Sequence, residues 1–271
     1  MEYQTFEPSL ELCSFVKCYW TLEDQQNSNL EKQTIVPDGC MEMIFHQGDL
    51  YQQYDENGTL FIQPRCFVFG QLTKPLEIKP TGRTSIFSVR FQPNGFLPFC
   101  TIPIKDFENK PIELQTLFNE EGILIESQIL NAKSSSEKIK IIEAFLLKRL
   151  ENKEVVDKII KSAVETLVTS KGKIKIEELV NQEKISRRQL ERNFTKAIGL
   201  SPKQLSKTIR LQAALQMLLN KKFTSLTKLA YDNNYYDQAH FIKDFKELTG
   251  VTPKEFYGDN TKLSSLFYRE D

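Results

Sequence analysis

Histidine is nearly absent from this chain: there are two, His46 and His240, among 271 residues. A facial metal centre of the enzyme type draws several His ligands and a carboxylate into one site. One histidine in the first half of the chain argues against it. No Gly-x-Ser-x-Gly elbow and no phosphate-cradling glycine loop occurs. The expectation is a protein with no catalytic residues, no metal and no cofactor. The five cysteines, Cys13, Cys18, Cys40, Cys66 and Cys100, are odd in number and form no Cys-x-x-Cys pair. That usage suits buried free thiols in a reducing cytoplasm. There is no run of about 18 apolar residues, so no membrane span is expected. The opening stretch MEYQTFEPSLELC is acidic, where a secretory leader would be basic and then apolar.

Net charge is absent too, with 36 basic residues against 36 acidic ones. The zero hides an asymmetry. From Lys171 to Tyr257 there are about 17 Lys and Arg against about 9 Asp and Glu, so this segment is basic and the remainder acidic. Such a division points to a basic nucleic-acid-binding module joined to something else, or to a lysine-rich solvated surface.

With 40% hydrophobic residues the chain can build a substantial core. Residues 1 to about 110 read as β structure. TIVPDGCMEMIFHQG is a short apolar run between turn signals, and DENGTLFIQPRCFVFGQ carries an Asn57-Gly58 turn. GRTSIFSVRFQPNG alternates Ile86, Ser88 and Arg90 with Phe87, Val89 and Phe91. Turn signals every 10 to 12 residues, roughly, suit a sandwich or barrel. One early segment, PSLELCSFVKCYW, reads as a short helix capped by Ser9, with Leu12, Phe15, Val16 and Tyr19 on one face. After about residue 110 the apolar spacing becomes helical. NAKSSSEK, residues 131–138, reads as a linker with Ser136 as a helix cap. The following SSEKIKIIEAFLLKRLENK is a helix that serves as a dimer surface or packs on its own barrel. KEVVDKIIKSAVETLVTSKG is another helix, ending at Gly172.

Two late segments repeat. SRRQLERNFTKAIGLSP begins at Ser186 and DQAHFIKDFKELTGVTP at Asp237, an offset of 51 residues. Ser186 matches Asp237, both good N-caps. Leu190 matches Phe241, Phe194 matches Phe245, Gly199 matches Gly250 and Pro202 matches Pro253. Each copy follows a shorter helical segment, KIEELVNQ or SLTKLAYD. Short helix, tight turn and capped helix make a helix-turn-helix, whose second helix enters the DNA major groove. Arg187, Arg188, Gln189 and Arg192 front the first copy; Gln238, Ala239, His240 and Lys243 front the second. Arg can fork onto guanine and Gln can pair with adenine. Between the copies, SPKQLSKTIRLQAALQMLLNKK forms a helix with Ser201 as cap and Pro202 in its first turn.

Over roughly residues 152–257 these features resemble the AraC/XylS family of bacterial transcription regulators. LAYDNNYYDQAHFIKDFKELTGVTP is the closer of the two units to that family's signature. Where the signature usually has Gly-Phe, this chain has Asn234-Tyr235, and Asn is the non-glycine residue that best tolerates a left-handed turn. Lys184 stands where family members often have glycine. By this resemblance the base-reading positions are Arg188 and Arg192 in the first unit, and Gln238, Ala239 and Lys243 in the second. Arg187 and His240 are neighbours that contact phosphate or support the helix, and His240 suits a packing role equally well. VKCYWTLE, VPDGCMEMIF, FGQLTKPLEI and FSVRFQPNGFLPF resemble the cupin-like sensor domain of some of these regulators.

The resemblance implies an α+β chain: a cupin-like β-barrel or sandwich, then an all-α domain with two helix-turn-helix units joined by a long helix. The expected division is 1–131 for sensing or dimerisation, 132–152 as a helical linker, 153–258 for DNA binding and 259–271 as a tail. The expected function is cytoplasmic, sequence-specific transcriptional regulation on double-stranded DNA. A small-molecule effector, a second copy of the chain and RNA polymerase are the further candidate partners. Trp20, Asp38, Arg90 and Phe91 are the candidates for an effector pocket. Trp20 and Phe91 are equally natural core residues, Asp38-Gly39 also suits a turn, and Arg90 suits an anionic effector or a surface ion pair. The alternative is a small-molecule-binding β-barrel whose helical module mediates protein interaction.

Overall fold

The computed structural model describes residues 1–24, 30–54, 58–100, 102–150, 158–220 and 222–258. Asn57, the start of the helix expected from Lys153 and the tail 259–271 lie outside them. The N-terminal strands are β1 (Glu2–Phe6), β2 (Val16–Asp24), β3 (Gln33–Ile35), β4 (Glu42–His46), β5 (Tyr51–Tyr54), β6 (Leu60–Ile62), β7 (Cys66–Phe69), β8 (Leu76–Pro80), β9 (Thr84–Phe91) and β10 (Pro111–Glu113). Two 3-10 turns, Leu97–Phe99 and Ile104–Phe107, precede β10. The helices follow: α1 (Leu114–Phe118), α2 (Glu120–Asn131), α3 (Ser135–Leu150), α4 (Lys158–Thr169), α5 (Ile176–Glu183), α6 (Arg187–Ile198), α7 (Pro202–Leu219), α8 (Leu226–Asp232), α9 (Gln238–Thr249) and α10 (Pro253–Gly258). Among the described residues, no helix is long and apolar enough to cross a membrane.

The strands form an antiparallel six-stranded sheet, ordered β1-β2-β9-β4-β7-β10, and a four-stranded one, ordered β3-β8-β5-β6. Neither sheet closes on itself, so the sandwich form holds rather than the barrel. Central strand β9 is buried along its whole length. Side chains alternate across a strand, and β9 sorts them accordingly. Phe87, Val89 and Phe91 join Met43, Phe45 and Ile142 in the main core against the helices, while Ile86 joins Trp20, Leu22 and Tyr51 in a second cluster toward the other sheet.

Helix α3 packs on its own domain. Ile142 and Leu146 are fully buried in the main core, and Glu143 accepts hydrogen bonds from the Ser9 amide at 2.8 Å and the Tyr19 hydroxyl at 3.1 Å. Two local expectations are corrected. Ser9 caps no helix: residues 10–15 form a turn, and Val16 and Tyr19 belong to β2, paired to β9 and, at Tyr19, to β1. Val16, Tyr19, Trp20 and Thr21, all buried, are β-branched or aromatic and suit a strand, and long-range pairing prevails over the helical spacing. The cap of α3 is Ser134 rather than Ser136: its hydroxyl accepts from the Glu137 amide at 3.2 Å, while the Glu137 carboxylate accepts from the Lys133 amide at 2.9 Å. Ser136 lies inside the first turn.

Candidate nucleic-acid interface

Each helix-turn-helix unit is built from a local code. In the first, α5 ends at Lys184, which adopts the left-handed conformation at φ 54° and ψ 38°. The Ser186 hydroxyl then accepts from the Gln189 amide at 3.2 Å and opens α6. In the second, Asn234 supplies the left-handed residue at φ 60°, and the Asp237 carboxylate accepts from the His240 amide at 2.7 Å to open α9. A carboxylate at that position also meets the positive end of the helix dipole. Both second helices end on a left-handed glycine, Gly199 at φ 83° and Gly250 at φ 82°. A side chain is disfavoured in that conformation, which is why glycine closes each helix.

The apolar stripe of each helix is fully buried. Leu190 and Phe194 pack with Leu179 and Leu167, and Phe241 and Phe245 pack with Leu229 and Leu215. Helix α9 is further tied to α7, where the Lys207 ammonium lies 3.1 Å from Asp244 and 2.8 Å from Glu247. The loop between α4 and α5 holds both units to α7. Its Gly172 carbonyl accepts from the Ser206 hydroxyl at 2.8 Å and the Arg210 guanidinium at 3.3 Å. The next carbonyl, of Lys173, accepts from the Asn234 amide side chain at 3.0 Å.

The opposite faces are polar and exposed. Arg188 and Arg192, one turn apart, share a face of α6, and among the described residues neither has an ion pair or side-chain hydrogen bond. Ala239 and Lys243, their equivalents on α9, are exposed in the same way. The first position of each helix behaves differently. Arg187 pairs with Glu177 of α5 at 3.1 Å and Glu191 at 3.0 Å. Gln238 accepts from the Thr227 hydroxyl of α8 at 2.7 Å. Both side chains tie the second helix back to the first. His240 sits edge-on to Tyr235, with centroids 5.5 Å apart, and its Nε2 lies 3.6 Å from buried Asp244.

A second site lies between the two sheets. It is a cavity of about 110 Å³, lined by Trp20, Asp38, Glu42, His46, Tyr51 and Ile86 among others. Of the four effector candidates, Trp20 and Asp38 reach it. Arg90 is buried, not on the surface: it pairs with Asp38, and with Glu42 directly opposite on β4 at 3.2 Å. Phe91 points the other way, packed edge-on to Phe96 with centroids 5.1 Å apart. Sequence reasoning missed Glu42 and His46, although the alternation of Glu42, Ile44 and His46 with Met43 and Phe45 held the signal.

The loop between β3 and β4 touches both sites. Asp38 accepts from the Cys40 amide at 2.9 Å, making the expected turn, with Gly39 at φ 78°. Its neighbours face the helical domain. Val36 joins the core beneath α7 and α9, and the Pro37 carbonyl accepts from Gln212 of α7 at 2.5 Å. A Cβ on Gly39 would come within 2.7 Å of Leu205 on the same helix.

Comparison with known proteins agrees with this geometry. Residues 179–258 match a family described as a helix-turn-helix domain, and residues 4–113 match a domain of unknown function. An uncharacterised HTH-type transcriptional regulator of Haemophilus influenzae is 33% identical over 81 residues. The HTH-type transcriptional regulator MtrA of Neisseria gonorrhoeae is 35% identical over 81 residues. Residues 179–258 are a helix-turn-helix domain of the AraC type. Each match covers 30% of this chain and spans 27% of the length of the curated relative. Among solved structures, ToxT from Vibrio cholerae is 12% identical, with 95% of this chain and 98% of that chain covered and a TM-score of 0.47. The C-terminal domain of AraT, a response regulator from Geobacillus stearothermophilus, is 22% identical, covering 44% of this chain and 97% of that one, with a TM-score of 0.36.

Proposed function

We propose that the chain regulates transcription by binding a defined duplex DNA sequence, with α6 and α9 entering successive major grooves. The observation that carries this reading is the pair of equivalent, outward-facing positions: Arg188 and Arg192 on one helix, Ala239 and Lys243 on the other. The caps, the apolar stripes and the side chains of Arg187 and Gln238 hold these helices in place. Helix α7, with 18 residues, is about 27 Å long, close to the ~34 Å between successive major grooves on one face. The basic segment from Lys171 onward supplies phosphate contacts.

In this reading the N-terminal sandwich, residues 1–131 together with α3, is a sensor. A small molecule in its cavity biases the presentation of the two units through the β3–β4 loop, by binding one arrangement better than another. A second copy of the chain and RNA polymerase are further partners such a regulator would meet. The test is selection of duplexes from a randomised pool, followed by binding of the enriched sequence across a salt series. A defined motif and a steep linear fall of log K with log salt are expected, about 0.9 per phosphate contact. No duplex binding at low salt would instead leave the helical module as a protein-interaction surface.

A further inference from the structure

The cavity between the sheets has a distinct chemistry. Among the described residues, no lysine or arginine lines it. Its walls are apolar and aromatic, including Trp20, Leu22, Ile44, Tyr51, Phe69 and Ile78. Its acidic groups are Asp38 and Glu42, and the single guanidinium of Arg90 serves both. Burial pushes the Glu42 carboxyl up to about 7, against a hydrogen bond from the Trp20 indole and the charge of exposed Lys17. Cys40 and Tyr51 are both raised by burial and stay protonated near neutral pH.

His46 adds an independent observation. It is 1% exposed and lines the same cavity. Its Nε2 meets the Gln63 side-chain oxygen at 3.2 Å. The Gln63 amide nitrogen donates to Gln53 at 2.9 Å, so the orientation of that amide is fixed. Gln63 therefore presents an acceptor to the ring, and Nε2 carries the proton. Burial holds the imidazole neutral, lowered to about 4. Nδ1 is then a lone pair, buried and without a partner. Two acidic groups that share one guanidinium, and a bare ring nitrogen, leave the cavity with more acceptor capacity than positive charge.

We infer that this cavity binds a compact hydrophobic amine in its ammonium form, the cation on the cavity side of the Asp38 and Glu42 carboxyls that Arg90 bridges from behind, and the apolar body against Trp20 and Tyr51. A donor on the ligand relieves the unmet acceptor on His46, since buried acceptors are costly when unpaired. An anionic ligand would meet two carboxylates and no free cation. The volume, about 110 Å³, is below the ~150 Å³ cavity that takes benzene, so one ring is the upper limit inside it and a short arm ends at part-exposed Asp38. The inference rests on the reading of the N-terminal domain as a sensor.

Trp20 is the chain's only tryptophan, so its fluorescence reports occupancy without DNA. The full chain is titrated with 2-phenylethylamine, with 2-phenylethanol as the neutral analogue and 3-phenylpropanoate as the anion. A saturable change with the amine is expected, with Kd at least tenfold below that of either analogue. Glu42→Gln and Asp38→Asn each narrow the gap between amine and alcohol at least fivefold. The inference is overturned if the acid or alcohol binds as tightly as the amine, or if the amine gives no saturable signal. Duplex affinity is measured on the same preparation. Amine binding with no duplex binding refutes the regulator reading alone; duplex binding with preference for the acid refutes this inference alone.

Discussion

Arg192→Ala separates base reading from scaffolding. The Arg192 side chain is exposed and has no protein partner among the described residues. Its loss should therefore leave folding stability within the ~0.5 kcal/mol typical of neutral surface changes. The whole effect then falls on DNA. A guanidinium forked onto guanine contributes about 1–3 kcal/mol of discrimination, which at about 1.4 kcal/mol per decade is a factor of roughly 5 to 150. Lys243, the equivalent on α9, is a point charge without the planar fork. Lys243→Ala should therefore relax its own base position by less than Arg192→Ala relaxes its own. The assay is duplex binding to the selected site and to single-base variants of it, at several salt concentrations, for both variants. Arg192→Ala is expected to relax one position in the first half-site. Unchanged selectivity for Arg192→Ala would refute its base-reading role, and a selectivity loss as large for Lys243→Ala would refute the advantage given to the guanidinium fork.

Other substitutions test the framework. Asp237→Ala removes the cap of α9 and should cost about 1 kcal/mol in a denaturant melt, with duplex affinity falling alongside. Gly39→Ala places a side chain at φ 78° and 2.7 Å from Leu205. The backbone strain alone is about 1–2 kcal/mol, and duplex affinity is expected to change although the substitution lies far in sequence from α6 and α9. Stability against pH should show a masked balance between two groups of the cavity. His46, lowered from 6.5 to about 4, contributes stability above pH 6.5 that is lost as pH falls toward 4, because only the unfolded chain takes up the proton. Glu42, raised from 4.5 to about 7, contributes stability below pH 4.5 that is lost as pH rises toward 7. The slopes oppose each other between pH 5 and 6.5. Glu42→Gln should therefore uncover a decline on acidification of up to about 1.4 kcal/mol per pH unit; a variant as flat as the parent in chemical denaturation would contradict the burial assigned to His46.

The helical domain is the part most legible in the sequence, because its determinants are local. Ser186 and Asp237 bond to amides three residues on, and Gly199 and Gly250 close helices whose stripes repeat within one turn. Even Lys184, where glycine is the easier residue, takes the left-handed turn within a packed hairpin. The sandwich is less legible because pairing sets it. Val16 and Tyr19 have helical spacing, yet β9, some 70 residues away in the register, decides their state. Arg90 and Phe91 are neighbours in sequence, and the alternation of β9 puts them on opposite faces. Which face looks into the cavity and which onto helices depends on the stacking of two sheets, and no local pattern carries that. The Asp38–Arg90–Glu42 cluster likewise joins residues from a loop and two strands.

On the proposed reading, the bond from the Asn234 side chain to the Lys173 carbonyl works like the hinge pin of a caliper between the two units. It clasps the turn of one unit to the loop that opens the other, so α7 is not a lone spacer between free ends. A tool with set jaws measures one length. Moving the half-sites apart by five base pairs would put them on opposite sides of the duplex, with about 10–10.5 base pairs to a turn. Adding a full turn would restore the face but exceed the reach, so a correctly phased but longer operator would be held by one head alone.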